Sequence, residues 1–271
     1  MTLINTKWLE NNLNKVKIID SSWHMPNVNR DAYKEFTEKH IKNAIYFDID
    51  KNSNQNTYLP HMLTDKISWE KIMSSLGIAN KDQIVIYDNS DVISSCRLWY
   101  NLIYFGHNYE NVHVLDGGLK KWKIENRKLT NSITKIIKTN YIANEIKSLV
   151  KNKKEINDNI SKNEFKIIDA RSRERFDGKV AEPRKSIRSG SIPNSLCLPY
   201  KVLINDDNTF KNKNDILNIF KDILGQELTS NVIFSCGSGI TASVLALAYS
   251  LIKNKYMPVI YDGSWAEYGK I

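Results

Sequence analysis

Cys236 is the residue of this chain whose surroundings best suit chemistry. It stands in the run Phe-Ser-Cys-Gly-Ser-Gly-Ile-Thr-Ala, residues 234–242, where a short apolar run gives way to a helical pattern. Two glycines, Gly237 and Gly239, let the backbone curl so that several amide N–H groups face inward. Because amides at the start of a helix favour an anion, we expect Cys236 to act as a nucleophilic thiolate.

Other functions use similar loops, and the residues disfavour them. A nucleotide-binding phosphate loop ends in Gly-Lys-Ser/Thr, an ending that this loop lacks. Cysteine phosphatases place an arginine after five intervening residues to fork onto phosphate oxygens, but that position holds Ala242. The remaining alternative is a buried structural cysteine, which is the interpretation we prefer for Cys96 and Cys197.

The elements around Cys236 occur twice along the chain. A β-rich apolar run ends at Asp20 in the first half and at Asp169 in the second. At nearly equal intervals, residues 84–88 match residues 232–236, and residues 112–118 match residues 259–264. Apolar runs alternate with helical patterns, as in strands buried on both faces and joined by helices. We therefore predict two copies of one α/β domain, each a parallel sheet flanked by helices.

The predicted boundaries follow the composition. Residues 1–130 form an N-terminal domain, and residues 164–271 form a C-terminal domain that bears the cysteine. Residues 131–163 are rich in Lys and Asn and are predicted to be a linker with helical stretches such as residues 144–151.

Two further features can be compared between the copies. Residues 240–253 are apolar almost all round, which predicts a helix buried against the sheet, and residues 96–105 match them in the first copy. Asp88 occupies the position of Cys236 in the first copy, so we predict that the first domain is catalytically silent.

Composition narrows the class of protein. The 271 residues are 41% hydrophobic and 25% charged, which is typical of a soluble globular protein. Membrane-spanning runs and a signal-peptide core are absent from the sequence, so we expect no membrane partner. Three widely spaced cysteines fit neither a disulfide framework nor a zinc site, so we expect a reducing, cytoplasmic location and no metal.

The net charge of +9 is spread along the chain. Its densest stretch, residues 147–154, is interpreted as a solvated segment rather than a nucleic-acid patch.

Two tandem domains with the loop 236–242 in the second resemble the rhodanese-type sulfurtransferases. The loop resembles the 3-mercaptopyruvate sulfurtransferase branch, because the thiosulfate branch typically has basic residues where this chain has Gly237 and Ser238. Thiosulfate is a dianion and gains from cationic loop residues, whereas a carboxylate-bearing thiol can be held elsewhere. The resemblance implies that Cys236 carries sulfur as a persulfide without a cofactor. It also implies that the substrate lies against the loop residues Gly237, Gly239, Ile240 and Thr241.

A second stretch supports the resemblance. Residues 169–176 read Asp-Ala-Arg-Ser-Arg-Glu-Arg-Phe, and residues 182–184 read Glu-Pro-Arg. In the family, the Arg before Phe and the Arg of Glu-Pro-Arg hold the substrate's carboxylate and carbonyl oxygens. These correspond to Arg175 and Arg184, and the planar guanidinium suits this task. The neighbouring Arg171 and Arg173 are interpreted as surface charges.

A third stretch lies in the first half. The family places an Asp and a His at the spacing of Asp50 and His61, and with the loop serine, here Ser238, they form a proposed proton-handling triad. Histidine suits acid–base work near neutral pH, and a carboxylate can fix its tautomer. Three other residues of the first half, Trp23, Arg97 and Trp99, are interpreted as packing or domain-contact residues rather than ligands.

The resemblance implies a ping-pong reaction. Sulfur passes from 3-mercaptopyruvate to Cys236, pyruvate leaves, and the sulfur then passes to cyanide or to a thiol such as thioredoxin or glutathione. Two alternatives stay open: a thiosulfate sulfurtransferase, and a relay that hands persulfide sulfur to a partner protein.

Overall fold

The computed structural model describes residues 2–253 and 256–271. The chain divides into two compact units. Unit 1 comprises Met1–Gln55, Leu63–Ile146 and Asp206–Thr209, and unit 2 comprises Asn56–Met62, Lys147–Asn205 and Phe210–Ile271. Each unit therefore includes one short segment that lies, in the sequence, among the residues of the other unit.

Unit 1 is built on a parallel sheet whose strands are short and rich in Ile and Val. Across the described residues the spatial order is β1-β5-β4-β2-β3, and Ile18 is in register with Val85 on one side and Ala44 on the other. The strands are β1 (Leu3–Ile4), β2 (Lys17–Asp20), β3 (Ala44–Tyr46), β4 (Ile84–Tyr87) and β5 (Val112–Leu115). The helices are α1 (Thr6–Asn12), α2 (Ala32–Glu38), α3 (Lys66–Ser75), α4 (Ser95–Tyr104) and α5 (Gly118–Ile124).

Unit 2 repeats this arrangement. Its sheet is parallel with the order β6-β10-β9-β7-β8 over the described residues, and Ile168 is in register with Phe234 and Leu196. The strands are β6 (Val150–Lys151), β7 (Lys166–Asp169), β8 (Leu196–Cys197), β9 (Val232–Ser235) and β10 (Ile260–Tyr261). The helices are α6 (Lys153–Lys162), α7 (Arg173–Phe176), α8 (Lys213–Leu224), α9 (Ile240–Ile252) and α10 (Ser264–Tyr268).

The predicted repeat and its parallel α/β architecture are confirmed. The strands β2, β4 and β5 occupy the same places in their sheet as β7, β9 and β10 in theirs. The predicted apolar helices are α9 and α4, and every residue of α4 is buried. None of the helices that the structure describes is both long enough and apolar enough to cross a membrane.

The structure divides the predicted linker, residues 131–163, between the two units. Its first part packs on unit 1, where the amide of Asn144 donates to the carbonyl of Phe105 and that of Thr139 donates to Ser74. Its second part supplies β6 and α6 to unit 2. The boundary between the units therefore falls between Ile146 and Lys147.

The predicted helical stretch 144–151 is wrong. The structure has a single 3₁₀ turn at Lys147–Leu149 and then β6, and the long helix is α6, which starts later. Asn152 and Glu155 form a capping box, in which each side chain accepts from the other's backbone amide. This reciprocal pair stabilises a helix start at this point of the chain.

Equivalent carboxylates end β2 and β7 in different electrostatic surroundings. Asp169 pairs with the guanidinium of Arg171, two residues on, whereas Asp20 has Ser22 at the matching position. Burial raises the pKa of Asp20 to about 6 despite the hydrogen bonds from Ser22. Folding therefore favours the protonated form of Asp20, and the stability that this form confers is lost as the pH rises through that value.

The substitution Asp20→Asn is therefore expected to stabilise the protein relative to wild type as the pH rises from about 4 to above 6. A shift from 3.8 to about 6 corresponds to a relative gain of up to about 3 kcal/mol. Urea denaturation across this pH range measures it. The matched control is Asp169→Asn, which removes the carboxylate that pairs with Arg171. This variant should lower the free energy of unfolding at every pH. If the difference in the free energy of unfolding between wild type and Asp20→Asn did not change with pH, Asp20 would not have the raised pKa.

Candidate active site

Cys236 lies at the carboxyl end of β9, between that strand and α9. In parallel α/β sheets this end of the strands is where ligands bind. The residue is 2% exposed, and its Sγ accepts a hydrogen bond from the amide of Gly239 with an N–S distance of 3.2 Å. Gly239 has φ 85°, a left-handed conformation that glycine adopts without steric cost. The predicted placement of a cysteine on a tight turn before a helix is therefore what the structure has.

The backbone of the cysteine loop is held by the start of α10. The amide of Trp265 donates to the carbonyl of Cys236 at 2.9 Å, and the amide of Ala266 donates to that of Gly237 at 2.9 Å. The amide of Cys236 donates to the hydroxyl of Ser264 at 3.3 Å. These bonds tie the carbonyls of Cys236 and Gly237 to α10 and hold the backbone of the loop in place.

Two arginines from the segment that follows β7 lie over Gly237. A Cβ atom at this glycine would come within 3.2 Å of Nη2 of Arg175 and 3.7 Å of Nη1 of Arg184. Nη2 of Arg184 also lies 3.5 Å from the hydroxyl of Ser238. A Cβ atom at position 237 would therefore lie in a tight contact with Arg175 and in ordinary van der Waals contact with Arg184.

His61 belongs to unit 2 through the segment Asn56–Met62. Its side chain is buried, and its Nδ1 lies 2.9 Å from the hydroxyl of Ser238, with one atom donating and the other accepting. Its backbone is left-handed with φ 61°, a conformation that is unusual for a residue other than glycine. Asp50 belongs to unit 1, where its Oδ2 accepts a hydrogen bond from the indole of Trp23 at 2.9 Å. Its place in the triad stays a prediction.

The interpretation of Arg171 as a surface charge is wrong. Its side chain is 1% exposed, pairs with Asp169 at 2.6 Å and with Glu182 at 2.9 Å, and stacks 4.6 Å from the ring of Trp265. Burial opposes the charge, but the two carboxylates outweigh it and raise the pKa of Arg171. The side chain of Arg173, by contrast, is 55% exposed, in agreement with its interpretation as a surface charge.

Sequence reasoning missed Glu182 as a structural partner. Its carboxylate contacts both Arg171 and Arg175, the latter at 2.6 Å. The sequence did indicate that Glu182 lies near the site, because it stands two positions before Arg184 in the Glu-Pro-Arg motif. Nothing in the sequence indicated which arginine it would contact.

The two remaining loop residues begin α9. Ile240 is its first residue and is buried, and Thr241 follows half-buried. Their backbone amides lie in the first turn, which is the end of a helix that favours negative charge. The prediction that they line the substrate stays a prediction.

In the matching loop of unit 1, backbone amides donate to the carboxylate of Asp88. Oδ1 of Asp88 accepts from the amide of Ser90 at 2.8 Å, and Oδ2 accepts from that of Ser95 at 3.0 Å. Burial raises the pKa of Asp88. The amides that would face a ligand in an open loop are thus used internally, which supports the prediction that this domain is silent.

The other two cysteines lie in surroundings that suppress the thiolate. Burial raises the pKa of Cys197 to about 11 and that of Cys96 well above its ordinary value. Among the described residues, no group of three or more His, Cys, Asp or Glu side chains is arranged to hold a metal ion.

The chain belongs to the rhodanese family. The family model described as Rhodanese-like domain matches residues 5–125 and again residues 152–270, so both units carry the fold. The predicted resemblance to this family is confirmed.

Named relatives cover nearly the whole chain. It is 34% identical to thiosulfate/3-mercaptopyruvate sulfurtransferase 1, mitochondrial, of Arabidopsis thaliana, over 98% of this chain and 75% of the relative. It is 32% identical to the 3-mercaptopyruvate sulfurtransferase of Mus musculus, over 98% and 91%. The crystal structure of SseA from Escherichia coli, described as a 3-mercaptopyruvate sulfotransferase, superposes with a TM-score of 0.85 at 28% identity. That superposition covers 98% of this chain and 99% of SseA.

Proposed function

We propose that this protein transfers sulfur from 3-mercaptopyruvate to a thiol or cyanide acceptor through a persulfide on Cys236. The observation that carries the proposal is the pair of guanidiniums, Arg175 and Arg184, over an uncharged loop beside the cysteine. A planar guanidinium binds a carboxylate through two parallel hydrogen bonds. The names of the relatives support sulfur transfer, with 3-mercaptopyruvate named in both and thiosulfate in one of them.

In the first half-reaction the Cys236 thiolate attacks the sulfur of 3-mercaptopyruvate. A sulfur–sulfur bond forms, the carbon–sulfur bond breaks, and its electron pair leaves on carbon as the enolate of pyruvate. Arg175 and Arg184 hold the carboxylate and stabilise the developing enolate oxygen. The proton from the substrate thiol ends on the enolate carbon, so the products are pyruvate and an anionic persulfide.

Proton transfer is assigned to the pair formed by Ser238 and His61, whose side chains are 2.9 Å apart. A histidine within hydrogen-bond reach of a hydroxyl can pass a proton through it. We propose Asp50 as a further member of this proton-handling set on the basis of the family resemblance alone.

In the second half-reaction an acceptor thiolate attacks the outer sulfur, which restores the Cys236 thiolate and leaves the acceptor as a persulfide. With cyanide the product is thiocyanate. Thioredoxin and glutathione are proposed thiol acceptors, and a cytoplasmic location remains our proposal. The amide of Gly239, 3.2 Å from Sγ, favours the anionic sulfur between the two half-reactions.

Pyruvate release from 3-mercaptopyruvate with dithiothreitol as acceptor tests the proposal, run beside thiosulfate with cyanide. We expect kcat/KM for 3-mercaptopyruvate to exceed that for thiosulfate at least tenfold, which is about 1.4 kcal/mol, because the loop offers thiosulfate no cation of its own. Preference for thiosulfate would favour the thiosulfate sulfurtransferase alternative. Turnover of neither donor would favour the persulfide relay, which needs a partner protein to load or unload Cys236.

A further inference from the structure

Glu182 is a buried carboxylate for which the proposed reaction has no assigned task. Its side chain is 4% exposed. Oε1 accepts from Nη1 of Arg171 at 2.9 Å and from Nε of Arg175 at 3.2 Å, and Oε2 accepts from Nη2 of Arg175 at 2.6 Å. The pairing with Arg175 is therefore bidentate, the geometry in which a guanidinium is held most firmly.

The contact with Glu182 determines where Arg175 points. Arg175 belongs to α7, which has four residues, and its side chain is 20% exposed. An arginine in such a place loses much rotamer freedom when it is fixed over a loop. Glu182 holds Nη2 of Arg175, and this same atom is the one closest to Gly237.

Glu182 is in turn anchored to the sheet. Arg171 donates to Glu182 and to Asp169 at the end of β7, and it also donates to the carbonyl of Gly190 at 2.8 Å. Its guanidinium stacks on Trp265, whose amide donates to the carbonyl of Cys236. A row of alternating charges, Asp169, Arg171, Glu182 and Arg175, thus runs from the strand end to the cysteine loop.

The charges of this row cancel. Asp169 and Glu182 are negative, and Arg171 and Arg175 are positive, so the four residues sum to zero beside the site. The two donors differ in charge, since 3-mercaptopyruvate carries a single carboxylate and thiosulfate carries two negative charges. A site in which the charge of Arg175 is offset therefore favours the donor with the smaller negative charge.

We propose that Glu182 is a positioning residue that sets donor specificity, fixing Arg175 over the loop and cancelling its excess charge. The inference rests on the proposed function, because it concerns the choice between its two donors. The neutral loop residues and Glu182 then act together. Gly237 and Ser238 add no positive charge beside the donor, and the carboxylate of Glu182 offsets the charge of Arg175.

The test compares Glu182→Gln with wild type on both donors. Glutamine keeps the size and one acceptor oxygen but loses the charge. We expect the ratio of kcat/KM for 3-mercaptopyruvate to that for thiosulfate to fall about tenfold, chiefly through a higher KM for 3-mercaptopyruvate. The thiosulfate reaction should become more sensitive to salt, because an uncancelled guanidinium is screened by ions.

Two further variants separate charge from position. Glu182→Asp keeps the charge with a shorter side chain, so it should raise KM for 3-mercaptopyruvate while changing the donor ratio less than Glu182→Gln. Glu174→Gln makes the same chemical change on the exposed first turn of α7 and should change neither quantity. If Glu182→Gln lowers both donors equally, or changes neither, the specificity role is overturned.

A binding measurement keeps the inference testable without turnover. In the Cys236→Ser background, calorimetry measures the affinity for pyruvate, a monoanion, and for sulfate, a dianion. We expect Glu182→Gln to shift the ratio of the two dissociation constants about tenfold toward sulfate, and an unchanged ratio would overturn the inference. The wild-type donor preference tests the proposed function separately, since only the change between variant and wild type concerns Glu182.

Discussion

Cys236→Ser is expected to lower sulfur transfer from either donor by at least about 1,000-fold, or about 4 kcal/mol of transition-state stabilisation. A serine hydroxyl stays protonated where a thiol ionises, and its oxygen does not hold a transferable sulfur as a persulfide does. The fold should be unaffected, because oxygen is smaller than sulfur and can accept the same hydrogen bond from the amide of Gly239. Pyruvate release and thiocyanate formation measure the loss.

The matched control is Cys96→Ala, which removes a buried thiol from α4 of unit 1. It should retain transfer, because burial keeps that thiol protonated and it lies in the unit without the cysteine loop. Mass spectrometry after exposure to donor should find one added sulfur atom on wild type and on Cys96→Ala but none on Cys236→Ser. Near-wild-type turnover by Cys236→Ser would falsify the persulfide scheme.

Arg171→Met is expected to have the largest effect on stability. Methionine has a similar length but no charge. The substitution therefore removes the guanidinium that pairs with Asp169 and one of the two guanidiniums that pair with Glu182. Breaking a buried ion pair by removing one partner costs about 3–5 kcal/mol, because a buried charge is left uncompensated. Urea denaturation followed by tryptophan fluorescence measures the change.

Arg173→Met provides the comparison, since it makes the same change two residues away. Its side chain is 55% exposed and its pair with Asp177 spans 3.9 Å. Exposed pairs of this kind contribute about 0–1 kcal/mol. Equal destabilisation by the two substitutions would mean that the buried network adds nothing beyond a surface charge.

Arg171 and Glu182 also explain how the Cys236 loop keeps its form. The row of charges meets α10 at Trp265, and α10 holds the carbonyls of Cys236 and Gly237. Removing Arg171 should therefore lower activity as well as stability. In unit 1 the position of Arg171 is taken by Ser22, and the matching loop is closed on Asp88. The two copies thus share a backbone but differ in the charges that surround it.

Much of this protein follows from local sequence. The β-rich apolar runs favour buried strands, and the glycines around Cys236 permit a left-handed backbone. Each of these tendencies depends on only a few adjacent residues. For this reason the repeat, the parallel sheets, the helix α9 and the position of the cysteine were predictable. The family resemblance then indicated Arg175, Arg184, Ser238 and His61, and the structure brings these side chains together around the cysteine loop of unit 2.

Other features required the tertiary structure. Sequence spacing alone does not separate Arg171, which is buried, from Arg173, which is exposed, because burial depends on which distant side chains cover a residue. Nor does it indicate that Glu182 joins Arg171 to Arg175, or that the segment carrying His61 packs in unit 2. Side-chain pairing of this kind is decided by three-dimensional proximity, whereas strand and turn formation is decided by neighbours along the chain. The sequence therefore determined the fold and the place of Cys236 on its loop, and only the folded structure decided which charges surround it.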